Sequence, residues 1–379
     1  MSTEDPVSSQ PCRPDRLPLE KLDWGELVGP LGKANRAIAH YDGVLRNVPN
    51  PAVLLSPLTA NEAVLSSKIE GTQATLQEVL EFESGEETKE PALRADIFEI
   101  INYRKALHAA REFLKEKPLH LGTLLKAHGI LLDSVRGHNK ARGQFRTIQN
   151  WIGRQGTHLG QARFIPPSPM DLADALTNFE NYLHYEERDP IAQLGIIHAQ
   201  FEILHPFLDG NGRVGRMLVP LFLFEKKVLG SPMFYLSSYL EARRQDYCDR
   251  LLGITARGDW NGWLLFFLEA VRAQAEANAR QARDILALYD RLLARLPSLT
   301  HSQFSAAALD AVFMAPVFRQ ADFVTRSRIP KASAARIVGI LLENGILETL
   351  RPGAGRRSAI LRFPELLNIV NRQQFDSVG

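Results

Sequence analysis

The chain has 379 residues, 45% of them apolar and 23% charged, with a net charge of +2. That length exceeds one ordinary core and sets an expectation of two or three globular domains. Its two cysteines, Cys12 and Cys248, lack metal-ligand spacing, which argues against a disulfide framework and for a reducing, cytoplasmic setting; the longest apolar run, near Met217–Phe224, contains Pro220 and is too short to span a bilayer.

In chain order, residues 1–18 are polar and proline-rich, without an apolar signal core, and are expected to form a disordered leader. Residues 19–115 read as a helical region. Thr59-Ala60-Asn61-Glu62 fits a capping box with Thr59 as N-cap and Glu62 at N3, and Gly71 is a natural stop for that helix. Further helices are expected over Pro91–Lys115 and Leu119–Leu132. The stretch Arg136–Arg163 carries six Lys/Arg, several glycines and no acid, and Asn150–Phe164 reads as a turn or short hairpin. Helices resume at Met170–Tyr185 and Ile191–Leu204. Trp263–Leu296 contains no Gly or Pro and predicts one long helix, with residues 276–299 joining two domains. In residues 300–379, helices over Phe318–Thr325 and Lys331–Glu343 precede strands over Ile346–Leu350 and Ala359–Phe363, the pattern of a winged helix-turn-helix. Arg319–Arg362 holds nine Lys/Arg against three Asp/Glu, a local excess of six that suggests an acidic partner, DNA among the candidates.

The run HPFLDGNGRVGR, His205–Arg216, carries the chemistry. Gly210–Gly215 matches GxGxxG, but Leu194, Ile197, His198, Phe201 and Leu204 recur at helical spacing where a dinucleotide fold needs a strand. The run reads instead as a phosphate cradle between two helices. Gly210 and Gly212 permit left-handed backbone and close approach. The helix opening at Asn211 attracts anions, and Arg213 and Arg216 share a face. Asp209 beside phosphates calls for a bridging Mg²⁺. His205 at the rim can take a proton from a hydroxyl. His198 reads as a satisfied core histidine, and His120, His128 and His138 lack a ligand constellation.

This run resembles the signature of the Fic family, HxFx(D/E)GNGRxxR, with every defining position filled. The likeness extends through NWIG…FIPP upstream and MFYLSSYLEARRQDYCDRL…GDWNGWLLFFLEAV downstream, over most of residues 20–275. It implies a mainly α fold: a helical core with a small β-hairpin flap, here followed by the winged-helix pattern. The catalytic domain would span residues 116–275, after an N-terminal helical region at 19–115. The resemblance implies transfer of AMP from ATP to a Tyr, Ser or Thr hydroxyl of a protein, with His205 as general base. Asp209 would hold Mg²⁺, and Gly210, Asn211, Gly212, Arg213, Val214, Gly215 and Arg216 would bind the ATP phosphates. Trp151, Ile152, Gly153, Arg154 and Gln155 would form part of a flap that aligns the target by strand addition. Tyr247 would lie near the adenine, although Cys248 stands where the family often has a second Tyr. A homodimer is admitted by analogy.

Ser66 and Glu70 share a helix face, and SSKIEG resembles the family's inhibitory motif (S/T)xxxE(G/N). By that resemblance Glu70 would pair with Arg216 and restrain the enzyme. Two alternatives stand beside this reading. In one, Glu70 positions water and the same site removes AMP. In the other, the chain is a DNA-binding regulator with a nucleotide-sensing domain.

Overall fold

The computed structural model describes residues 10–133, 140–153, 158–355 and 357–376. It is mostly helical. In chain order α1 is Trp24–Arg46, α2 Pro51–Leu54, α3 Ser56–Ile69, α4 Leu76–Glu83, α5 Pro91–Phe113, α6 Leu121–Leu131, α7 Pro169–Leu183 and α8 Pro190–Leu204. There follow α9 Asn211–Glu225, α10 Ser237–Ala242, α11 Arg244–Arg257, α12 Trp260–Thr300, α13 Ser305–Met314, α14 Gln320–Ser327, α15 Lys331–Glu343 and α16 Pro364–Asn371. The strands are β1 Val317–Arg319, β2 Glu348–Arg351 and β3 Ile360–Arg362.

Contacts divide the described residues into two compact units, one of residues 10–39 and 102–275, the other of residues 40–101 and 276–376. The divisions fall inside α1, α5 and α12. Contact therefore groups N-terminal helices with the C-terminal segment.

The first unit is built on α8 and α9. Asp189 caps α8, its Oδ1 accepting from the N–H groups of Ile191 at 2.7 Å and Ala192 at 3.0 Å, and Pro190 supplies a preset φ in the first turn. Nearly every residue of α8 is buried, so it is apolar all round rather than striped. Phe201, Phe207, Val214, Leu218, Trp263 and Phe267 are fully enclosed, each such burial contributing about 1.5–3 kcal/mol. Residues 10–18, expected as a disordered leader, are held along this unit instead. Cys12 donates its N–H to the Ile165 carbonyl at 2.8 Å, Trp260 Nε1 donates to Asp15 at 2.7 Å, and Asn178 brackets the backbone of Leu17. Composition signalled disorder, but these few specific partners override it.

The second unit joins α3 to α13 and α16; Asn61 Nδ2 on α3 donates to the Val370 carbonyl at 3.2 Å. Its three-stranded antiparallel sheet runs β1-β3-β2, with Phe318 opposite Leu361 and Leu361 opposite Thr349, and with a bulge in β2 between Thr349 and Arg351. Two expectations are corrected here. β1 occupies Val317–Arg319, where a helix was expected from Phe318, and α14 starts only at Gln320. The capping box at Thr59 does not form: α3 begins at Ser56 with Leu55 as its N-cap, four residues before the expected cap, and with Pro57 in its first turn, so Thr59 and Glu62 lie inside the helix. A reciprocal box forms instead at Thr75 and Glu78, with hydrogen bonds of 3.3 and 2.7 Å.

The basic C-terminal segment spends much of its charge internally. Arg319 donates to the Gly85 carbonyl, Arg336 to the Thr300 carbonyl, Arg351 pairs with Glu86 and Arg362 with Glu348 across the sheet. Arg356 lies outside the described residues.

Candidate active site

The loop between α8 and α9 makes two left-handed turns. Gly210 has φ +80°, the conformation a glycine tolerates. Gly212 does not share it: it is the second residue of α9. The other left-handed residue is His205, at φ +44° and ψ +58°. A side chain there costs roughly 1–2 kcal/mol, so the surroundings must hold it. His205 donates its N–H to Phe201 at 3.0 Å, and its carbonyl accepts from Arg146 Nε at 2.9 Å and Asn150 Nδ2 at 3.3 Å.

The His205 ring is oriented by its own helix. Nδ1 lies 3.3 Å from the carbonyl oxygen of Glu202, which can only accept, so Nδ1 carries the proton and Nε2 carries the lone pair. That tautomer suits Nε2 to receive a proton.

Beyond His205 the loop closes on itself. Asn211, buried at the start of α9, uses both ends of its amide on Phe207: Oδ1 accepts the Phe207 N–H at 2.8 Å and Nδ2 donates to the Phe207 carbonyl at 2.8 Å. Its side chain is thus committed to the loop, and what it offers an anion is the backbone N–H of a helix start. Arg213 Nη2 donates to Asp209 Oδ1 at 3.1 Å, one turn back. Arg213 and Arg216 are buried, whereas the Asp209 side chain is 41% exposed. Among the described residues no three His, Cys, Asp or Glu side chains gather as a metal cage. The half-exposed Asp209 carboxylate offers the hard oxygen donor of which Mg²⁺ takes one or two from a protein.

Two buried histidines support the loop. His128 stacks on Phe207 with ring centroids 3.8 Å apart. Its Nδ1 accepts the Gly143 N–H at 3.0 Å, so Nε2 is the protonated nitrogen and donates to the Asp209 carbonyl at 3.0 Å. His198 donates from Nδ1 to the Gly215 carbonyl at 3.2 Å, and its Nε2 accepts the Tyr247 hydroxyl at 3.0 Å. Burial pushes both rings down to about 4, holding them neutral at physiological pH. His198 is thus the satisfied core histidine expected from its apolar face. Tyr247, on α11, is 5% exposed and linked through His198 to α9.

In the stretch expected to form a flap, Ile152 makes an antiparallel bridge with Phe164, through hydrogen bonds of 2.8 and 3.1 Å, and the side chains of Trp151 and Ile152 are exposed. Gly153 follows; Arg154 and Gln155 lie outside the described residues, as does His138. Ser66 is buried within α3 and Glu70 is the exposed C-cap of that helix, both in the second unit. Val214 and Gly215 lie in α9, and a Cβ on Gly215 would stand 2.3 Å from Glu202 Oε1 and 3.2 Å from the Phe201 ring, so an added methyl group displaces at least the Glu202 carboxylate. The supporting roles of Arg146, Asn150 and His128 are not legible in sequence, where His128 reads only as lacking a metal-ligand constellation. Their partners are mainly backbone groups distant in the chain, which carry no side-chain signature.

The family model for the Fic/DOC N-terminal region matches residues 28–112, and that for the Fic/DOC family matches residues 118–223. A "Probable protein adenylyltransferase" of Aquifex aeolicus is 27% identical over 50% of this chain and 56% of its own length. The "Protein adenylyltransferase fic-1" of Caenorhabditis elegans is 30% identical over 37% of this chain and 24% of its own. The chain thus spans about half or less of these curated relatives. Among solved structures, a Fic family protein from Desulfovibrio desulfuricans superimposes with a TM-score of 0.57 at 20% identity, over 93% of this chain and 98% of that one. Caenorhabditis elegans Fic-1 gives 0.52 at 23%, over 68% and 73%. With the family's signature loop seated between two helices, and with both of its regions matched in order along the chain, this protein belongs to the Fic family.

Proposed function

We propose that this protein transfers AMP from ATP to a hydroxyl group of a protein and that Glu70 restrains it. The observation that supports this most is the His205 ring, held with its Nδ1 on the Glu202 carbonyl so that Nε2 carries the lone pair, in the loop that leads into α9 with its anion-attracting first turn. The acceptor hydroxyl loses its proton to His205 Nε2 as its oxygen bonds to the α-phosphorus. The bond from that phosphorus to the bridging oxygen breaks, and pyrophosphate leaves. Backbone N–H groups of α9 with Arg213 and Arg216 would bind phosphate oxygens and offset their charge. Asp209 would hold Mg²⁺, which neutralises phosphate charge when bound. Tyr247 would border the adenine, and residues 151–155 would align the target strand.

Glu70 as a brake rests on the motif SSKIEG and on its place at the C-terminus of α3, where a carboxylate opposes the helix dipole and favours a cation partner. The elements α13–β1–α14–α15–β2–β3 read as a winged helix. With four of its arginines committed within the chain, it suits a protein partner better than DNA. No helix among the described residues is long and apolar enough to cross a membrane.

The test is incubation of Glu70→Gly protein with ATP labelled at the α-phosphate, Mg²⁺ and a cell lysate. Label should enter protein, in the chain itself or another, and be lost with His205→Ala. Equal labelling by the His205→Ala protein would reject the reading. Release of AMP from modified protein by the unaltered chain, lost in Glu70→Gly, would favour AMP removal over restraint.

A further inference from the structure

The left-handed turn at His205 is held largely from one side chain. Arg146 is 3% exposed, and among the described residues no acid pairs with it; the acceptors of its guanidinium are backbone carbonyls. Nε donates to His205 at 2.9 Å, and Nη2 donates to Pro167 at 2.5 Å and reaches Leu204 at 3.4 Å. Its own backbone N–H donates to the carbonyl of Pro206 at 2.9 Å. One residue thus engages three successive carbonyls, 204 to 206, where α8 ends. A helix end leaves such carbonyls without intrahelical partners and carries partial negative charge. A planar guanidinium with several fixed donors can serve two of them and the Pro167 carbonyl at once, which an ammonium on a flexible stem cannot. Elsewhere a glycine would make this turn without strain, but position 205 needs an imidazole.

We propose that Arg146 is a positioning residue for the reaction: it locks His205 in its left-handed conformation, and thereby sets the direction in which the imidazole leaves the loop between α8 and α9. Asn150 assists by bridging the carbonyls of His205 and Phe207, at 3.3 and 2.9 Å. The assignment rests on the reading of His205 as the base. Arg146 itself touches neither phosphate nor acceptor. Its loss therefore acts on the rate of transfer and not on nucleotide binding.

The experiment uses the full chain carrying Glu70→Gly, with Arg146→Ala and Arg146→Lys added separately; the lysine variant keeps the stem and charge should alanine impair folding. Three readouts are taken: the structure around His205, the affinity for Mg-ATP, and the rate of AMP transfer. His205 should leave φ near +44°, affinity should stay within about threefold, and kcat should fall roughly 100-fold in Arg146→Ala and roughly 10-fold in Arg146→Lys. Millimolar methylguanidine should restore rate to Arg146→Ala and not to His205→Ala. A folded variant that keeps the His205 turn overturns the assignment, as does a rise in KM at unchanged kcat. The structural readout needs no activity. If the parent chain labels nothing while the variant loses the turn, the AMP-transfer reading falls and the role of Arg146 in holding His205 stands.

Discussion

Asn211 and Phe207 close the signature loop through a pair of 2.8 Å hydrogen bonds running in opposite senses between one amide side chain and one residue's backbone. Phe207 is fully buried and stacked on His128, so its backbone groups have little access to water. Asn211→Ala leaves the Phe207 N–H unsatisfied, while the carbonyl keeps Asn150 Nδ2 at 2.9 Å, and should cost about 1–3 kcal/mol. Asn211→Asp keeps the acceptor but turns a second oxygen toward the Phe207 carbonyl, so it should lose at least half as much. Urea unfolding of the two variants measures this; a loss under about 0.5 kcal/mol in both would show that the loop is held by other means.

Gly215 tests the close approach of the two central helices. An added methyl group meets Glu202 Oε1 at 2.3 Å and Phe201 at 3.2 Å. Glu202 also supplies the carbonyl that orients the His205 ring. Gly215→Ala should therefore destabilise by about 1–3 kcal/mol through overpacking, and AMP transfer should drop together with it. Thermal unfolding and labelling on the same preparation check the pairing; unchanged activity in a destabilised protein would separate the helix spacing from the ring's orientation.

Much of the framework was legible in sequence where a local rule decided it. Asp189-Pro190 announces α8, Gly71 at φ +104° follows the helix that it was expected to stop, and the apolar face through His198 places that ring in the core. Apart from the cap at Thr59, which lost to a nearer signal, the failures share a cause, which is that distant partners outweighed local preference. Thr59 matches a cap, yet Pro57 starts the helix earlier. Residues 10–18 look disordered by composition, yet Asp15 and Leu17 find partners far along the chain. Arg146 sits in a visibly basic stretch, but its role depends on carbonyls some sixty positions away, and any residue presents a carbonyl. The strain at His205 was equally hidden, since nothing in a histidine's identity announces a positive φ.

The pH dependence of stability should carry the mark of His198. Burial lowers its pKa to about 4, against about 6.5 for an ordinary histidine. Above about 6.5 the ring is neutral folded and unfolded, and its contribution is fully present. As pH falls below that value the unfolded chain takes up the proton first, so stability declines until about pH 4, where the folded ring also titrates. The loss amounts to about 3 kcal/mol at most over that window. NMR titration of the His198 ring should give a midpoint near 4; one near 6.5 would contradict its enclosure. Tyr247→Phe removes the donor to Nε2 and should cost about 1–3 kcal/mol at neutral pH.

Glu70 offers a prediction in which stability and activity move differently. It is the C-cap of α3, with Gly71 already in the left-handed conformation beyond it. Replacing a C-cap residue by glycine interrupts no helical turn. Removing a carboxylate from a helix C-terminus also relieves an unfavourable dipole interaction of about 0.3–1 kcal/mol. Glu70→Gly should therefore leave the unfolding temperature within a few degrees of the parent while raising AMP transfer at least tenfold. Glu70→Gln separates charge from bulk: if the brake works through a carboxylate paired with an arginine in fork geometry, glutamine should release most of the restraint although it fills the same space. Rates of α-labelled AMP incorporation at saturating Mg-ATP decide between these. A glutamine variant as quiet as the parent would assign the restraint to shape, and a glycine variant equally quiet in a folded protein would remove Glu70 from regulation altogether.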